Sequence, residues 1–114
     1  MTGKLLTIED CDLVLSEIES INDSDRLFAK SAARAREILS GVRRIPEHIY
    51  PVMTGGVLMV YVDNKGNYRE FTIIGNDIHT FYCGYNDDIT DIDFDSDIDI
   101  KLMDELINNM EWDD

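Results

Sequence analysis

From Gly55 to Cys83 the chain spells out two successive β-hairpins, and no other stretch restricts the fold as tightly. Gly55-Gly56 leads into Val57-Leu58-Met59-Val60-Tyr61-Val62, an unbroken run of β-branched, aliphatic and aromatic residues. Asp63-Asn64-Lys65-Gly66-Asn67 supplies loop chemistry, with Gly66 where a left-handed residue is wanted, and the chain returns as a second strand over 68–74. Gly75-Asn76 is a two-residue turn into a third strand over 77–83. Loops this short join antiparallel neighbours, so the pattern predicts a meander. The first of these strands is apolar on both faces, which suits a covered, central position.

Helical signals flank the meander. Thr7 followed by Asp10 resembles a capping box, and Cys11, Val14, Leu15, Ile18 and Ile21 recur at helical spacing, predicting a helix from about Ile8 to Ile21. Asn22 to Asp25 offer new cap residues. Leu27, Phe28, Ala32, Ala35, Ile38 and Leu39 then continue a 3.6-residue stripe until Gly41 supplies a stop. Pro46 and Pro51 bracket what reads as an irregular connector. Ile89 to Phe94 is a candidate fourth strand, with Ile92 and Phe94 turned inward, and Leu102, Met103, Leu106, Ile107 and Met110 form a third helical stripe ending near Trp112. The expected architecture is α+β: two N-terminal helices, a three- or four-stranded antiparallel meander, and a C-terminal helix packed on one face. At 114 residues, a single domain over 1–114 can bury a modest core without staples.

The segment from Ser31 to Tyr82, with its Ala-rich helix followed by P-E-H-I-Y-P-V-M-T-G-G-V-L-M-V-Y and N-Y-R-E-F-T-I, resembles a widespread group of small, acidic bacterial and phage proteins. In that group a helix, a Pro-containing connector and a Gly-Gly pair lead into a meander. The resemblance covers under half of the chain, and Tyr61 stands where such proteins often carry Trp. It implies a fold and no catalytic residue.

The formal charge of −14 is large for this length and is unevenly placed. Residues 1–25 carry −6, residues 26–44 carry +5, residues 45–74 carry −1 and residues 75–114 carry −12. Such a charge argues against direct binding of nucleic acid or anionic membrane and favours a basic partner. The positive segment holds Arg26, Lys30, Arg34, Arg36, Arg43 and Arg44 against Glu37. Two uses compete for it: neutralising acids of the first helix or the C-terminal tail, or contacting phosphate or another protein. The start of the chain lacks the long apolar run of a signal peptide, and no stretch approaches the roughly 20 apolar residues of a membrane span. Cys11 and Cys83 are therefore expected as reduced thiols of a cytoplasmic protein, a disulfide between them being the alternative.

The acidic end contains D-D-I-T-D-I-D-F-D-S-D-I-D from Asp87 to Asp99. If extended, it points Asp91, Asp93, Asp95, Asp97 and Asp99 the same way, about 6.5 to 7 Å apart. That pitch is close to the roughly 7 Å between phosphates along one nucleic-acid strand. Structure alone gives some of these residues work: charge on an edge strand deters strand addition, and Asp97 or Asp99 can cap the helix that follows. Crowding so many like charges opposes folding, so the remainder calls for a role in binding. An EF-hand register starting at Asp91 places oxygens at the odd positions but has Ser96 where glycine is required and Leu102 where the closing glutamate is required. A register starting at Asp93 puts Ile98 at the glycine position.

Other chemistries find less support. His48 and His79 belong to no spaced ligand motif, and His79 and Cys83 on one strand face stand about 13 Å apart. There is no nucleophile elbow, and Gly55-Gly56 precedes a strand without the spacing or Lys-Ser pair of a phosphate loop. Cys11 falls on the apolar helix face. The expectation is thus a non-enzymatic inhibitor or neutralising protein, without catalytic residues, metal or cofactor. Its carboxylate array, Asp87, Asp88, Asp91, Asp93, Asp95, Asp97 and Asp99, with Tyr82, Tyr85 and Phe94 beside it, would occupy a basic partner. A nuclease, a CRISPR or restriction effector, or a toxin has the required surface, which makes a phage anti-defence protein, an antitoxin and an immunity protein equivalent at this level. A calcium-binding module and an accessory or oligomerisation domain are the alternatives.

Overall fold

The computed structural model describes residues 4–84, 92–95 and 97–112, with residues 92–94 described by their backbone alone. Along the chain lie α1 (Ile8–Glu19), α2 (Leu27–Gly41), β1 (His48–Val52), β2 (Gly56–Val62), β3 (Tyr68–Ile74), β4 (Asp77–Cys83), β5 (Ile92–Asp95) and α3 (Ile100–Asn108). The strands form one antiparallel sheet in chain order, β1-β2-β3-β4-β5. The α+β plan of two N-terminal helices, a meander and a C-terminal helix is therefore present, with five strands among the described residues rather than three or four. The added strand is β1, drawn from the supposed connector. Pro51 is tolerated there because β1 is an edge strand, one side of which has no ladder partner to lose. The fourth predicted strand is β5. It begins at Ile92, and residues 89–91 and the inward turn expected of Ile92 and Phe94 lie outside the described part of the structure.

Local chemistry accounts for most boundaries. The Asp10 N–H donates to Thr7 Oγ1 at 3.2 Å and the Thr7 N–H to Asp10 Oδ2 at 3.1 Å, closing the capping box of α1. Asp23 Oδ2 accepts from the Leu27 N–H at 2.7 Å and so caps α2, while Arg26 between them is left-handed at φ 54°. Gly41 does not act as a left-handed stop. It is the last helical residue, and a Cβ there would lie 2.8 Å from Ile100 Cγ2, so its value is the close approach of α3. Gly66 takes φ 84° in the β2–β3 loop as expected.

The helices lie on one face of the sheet, and the core sits between them. Val57, Met59 and Tyr61 of β2, Phe71 and Ile73 of β3, and Ile78 of β4 point into it, meeting Cys11, Leu15 and Ile18 of α1, Ala32, Ala35 and Ile38 of α2, and Met103 and Ile107 of α3. The Tyr61 ring packs edge-on against Phe71, and its hydroxyl donates to the Arg44 carbonyl at 2.8 Å. Burial raises the Tyr61 pKa far above the usual phenol range. Ser31, fully buried, ties α2 to the sheet: its Oγ donates to the Gly55 carbonyl and accepts from the Gly75 N–H, each at 2.9 Å.

The opposite face has no helix among the described residues. Across it the register places Tyr50, Leu58, Thr72 and His79 in one row and His48, Val60, Glu70 and Phe81 in the next. β2 is thus internal to the sheet and largely buried, with helices over one of its faces among the described residues.

Candidate functional site

The described part of the acidic region is the β5 edge of the sheet and the turn into α3. Asp95 closes β5, exposed and opposite Thr80. The chain then leaves the extended conformation, because Asp97 is left-handed at φ 57°. Asp99 caps α3, its carboxylate accepting from the Leu102 N–H at 2.8 Å. The regular ladder through Asp99 is therefore interrupted after Asp95, since alternation of faces needs unbroken extended backbone. Asp93 stands opposite Tyr82 and Phe94 opposite Phe81 in the backbone register. Asp87, Asp88, Asp91 and Tyr85 lie outside the described residues.

Tyr82 was expected to contribute contact area, but it shares the helix-bearing face with Thr80. The Arg69 guanidinium stacks over its ring at 4.9 Å from the centroid. Arg69 is itself buried and donates from Nη1 to Thr80 Oγ1 at 2.9 Å. Tyr82 is thus engaged within the sheet while remaining partly exposed.

The cations are mostly engaged within the molecule. Arg36 reaches from α2 to α1, where Nε meets Asp12 at 2.9 Å, Nη1 meets Glu19 at 2.8 Å and Nη2 meets Ser16 at 2.9 Å. The hydrogen bond to Asp12 raises the guanidinium pKa, burial opposes it, and Glu19 adds to the rise. Arg43 joins the end of α2 to α3 through Asp104, by its backbone N–H at 2.9 Å and by Nη2 at 3.0 Å. Burial pushes the Asp104 carboxyl up, but the two Arg43 donors and Asn108 outweigh it and hold it below the usual range. Arg44 lies over Trp112, 4.3 Å from the ring centroid. Of the basic stripe, Arg34 pairs with Glu37, while Arg26 and Lys30 make no ion pair among the described residues. Internal neutralisation thus accounts for Arg36 and Arg43.

The acids of the C-terminal half are less fully engaged. Asp104 and Asp99 have the work just described, and Glu111 meets Lys65 at 3.2 Å. Among the described residues, no ion pair or side-chain hydrogen bond engages Asp77, Asp97 or Glu105. Residues 75–114 contain one cation, Lys101.

One carboxylate with a purely structural role was missed at the sequence level. Asp63 is buried in the β2–β3 loop and accepts from the Lys65, Asn67 and Glu111 N–H groups and from Asn67 Nδ2, all at 2.9 to 3.0 Å. Burial raises its pKa, but these donors prevail and the carboxyl stays below its ordinary value. Its position at the head of D-N-K-G-N, where an Asp side chain folds back on the turn, was the available signal.

Cys11 and Cys83 are free thiols. Burial, helped by the charge of Asp10, pushes the Cys11 thiol up to about 11, which makes it inert as a nucleophile. His48 stacks on Tyr50 at 5.6 Å, on the open face. Among the described residues no three His, Cys, Asp or Glu side chains are grouped to hold a metal ion, and no helix is long and apolar enough to cross a membrane. Compared with known proteins, the chain matches no family model, no curated protein and no solved structure.

Proposed function

We propose that this chain is a non-enzymatic, acidic binding protein that neutralises a basic, nucleic-acid-handling protein in the cytoplasm. Its carboxylates take the Lys and Arg positions that the partner uses for phosphate. The observation that carries this reading is the unequal use of charge. Arg36, Arg43 and Arg44 are engaged by neighbouring residues, whereas Asp77, Asp97 and Glu105 pair with no cation among the described residues, in a half-chain of charge −12. Surplus like charge weakens a fold through self-repulsion, so its retention favours a use outside the fold. Complementary charge also steers association, giving fast capture of a cationic target.

Asp95 and Asp97 are the exposed, described members of this surface. Asp99 also faces solvent but is committed to the cap of α3. The interruption at Asp97 means that mimicry of phosphate is a matter of charge density along the sheet edge rather than of an even carboxylate pitch. A nuclease, a CRISPR or restriction effector and a toxin all present the required basic groove.

The test is a binding titration against purified basic nucleases and effectors across a salt series. Affinity is expected to fall by about tenfold or more between low and moderate salt, and to fall again when Asp95 and Asp97 are both replaced by Asn. Affinity that is indifferent to salt and to these replacements removes the electrostatic mechanism.

A further inference from the structure

We infer that the open face of the sheet is a docking surface, and that its occupant is the basic protein partner rather than a second copy of the chain. The inference rests on the preceding reading of a basic partner and names the surface that supplies short-range contact. An antiparallel sheet with one face in water normally alternates apolar inward with polar outward. Here β2 breaks that rule. Leu58 and Val60 point away from the helices, with Tyr50 of β1 beside Leu58, while Glu70 of β3 stands between Val60 and Phe81 of β4. Val60 is 6 % exposed although it does not belong to the helix-covered core, while Leu58 is partly exposed and Tyr50 is exposed. A contiguous apolar area on an outer face marks an interaction site.

Charge decides between occupants. The β1–β4 residues on this face include the carboxylates of Glu70 and Asp77 and no Lys or Arg, since Arg69 points to the helix side. Two copies meeting through it would set these carboxylates against each other and bring two bodies of charge −14 together. A partner that presents Lys and Arg among its apolar residues satisfies both the apolar side chains of this face and the carboxylates set among them and at the strand end. The Tyr68 hydroxyl donates to Glu70 Oε2 at 2.6 Å and so positions that carboxylate within the face, on the middle strand between Val60 and Phe81.

Thr72, half-buried between Leu58 and His79 in the middle strand, is the position from which to test this. The photo-crosslinking residue p-benzoylphenylalanine is placed at Thr72, at Asp97 or at Lys30 in the full chain, and each protein is irradiated in lysate of the cells that make it. The expected result is one protein of basic isoelectric point joined to positions 72 and 97 and absent from position 30. That protein, once purified, is expected to bind Thr72→Lys at least about tenfold more weakly than the native chain and Thr72→Val equally well, with matching thermal midpoints. An adduct at position 97 without one at 72, or a Thr72→Lys affinity equal to native, overturns the open-face inference and leaves the basic-partner reading standing. An adduct of position 72 with the chain itself or with an acidic protein overturns the choice of occupant. Absence of adducts at both 72 and 97 overturns the inference and the reading together.

Discussion

The two faces of the central strands draw on similar residue types and meet different surroundings. On the helix side Met59, Phe71 and Ile73 are completely buried beneath α1, α2 and α3. On the other side Leu58, Thr72 and Phe81 are only partly covered, by neighbouring strands. Alternation along a strand states that both faces are apolar, but not which one the chain itself covers. The charges divide in a parallel way: the arginines of α2 hold helices together, while several acids of the C-terminal half hold nothing within the described residues. In both cases one part of the molecule is used by the fold, and the other part exceeds what the fold requires.

Core truncation gives the largest expected contrast between the faces. Phe71→Ala should destabilise by about 3–5 kcal/mol, because it opens a cavity that rigid neighbours cannot fill. Phe81→Ala, on the partly covered face, should cost less than about 1.5 kcal/mol. Chemical denaturation of the two variants measures the difference, and equal losses would erase the distinction between the faces.

A smaller effect belongs to the joint between α2 and the hairpin turns. Ser31→Ala strands the part-buried Gly75 N–H and the buried Gly55 carbonyl and should cost about 1–3 kcal/mol, while Ser31→Thr tests whether the hydroxyl alone suffices. Thermal unfolding reads both.

Acid sharpens the same division among carboxylates. Asp63 and Asp104 have folded pKa values below their unfolded ones, so their stabilisation is complete above the unfolded carboxylate pKa of about 4 and is lost as pH falls through the folded values. The unfolding midpoint should therefore drop on acidification below about pH 4. Asp63→Asn should be less stable at neutral pH and show a shallower drop. The smallest predicted contrast separates two neighbouring aspartates. Asp99→Ala removes the cap of α3 and should cost about 0.5–2 kcal/mol, whereas Asp97→Asn, which keeps a side chain tolerant of the left-handed conformation, should stay within about 0.5 kcal/mol of the native chain.

Much of the fold was legible because its signals are local. The Thr7–Asp10 box, the left-handed Gly66 and the three β runs depend on neighbours within a few residues. β1 escaped because Pro46 and Pro51 read as breakers, and only the sheet order reveals that Pro51 sits on an edge. The end of α2 at Gly41 was legible, but the close approach of Ile100 to it was not, because that partner is remote in sequence. The acidic site was visible as composition, but its geometry was not. That Asp99 caps α3 was foreseeable from its place before a helical stripe, while the left-handed turn at Asp97 and the stacking of Tyr82 under Arg69 come from tertiary packing.

The central claim is that the acidic end carries carboxylates beyond those that the fold uses. The thermal midpoint of the triple variant Asp77→Asn, Asp97→Asn, Glu105→Gln at low salt tests it most directly. Relief of repulsion should leave that midpoint equal to or above the native one, with the gap closing as salt is added. A midpoint lowered as far as that of Asp99→Ala would mean that these carboxylates serve the fold after all, and would contradict the account.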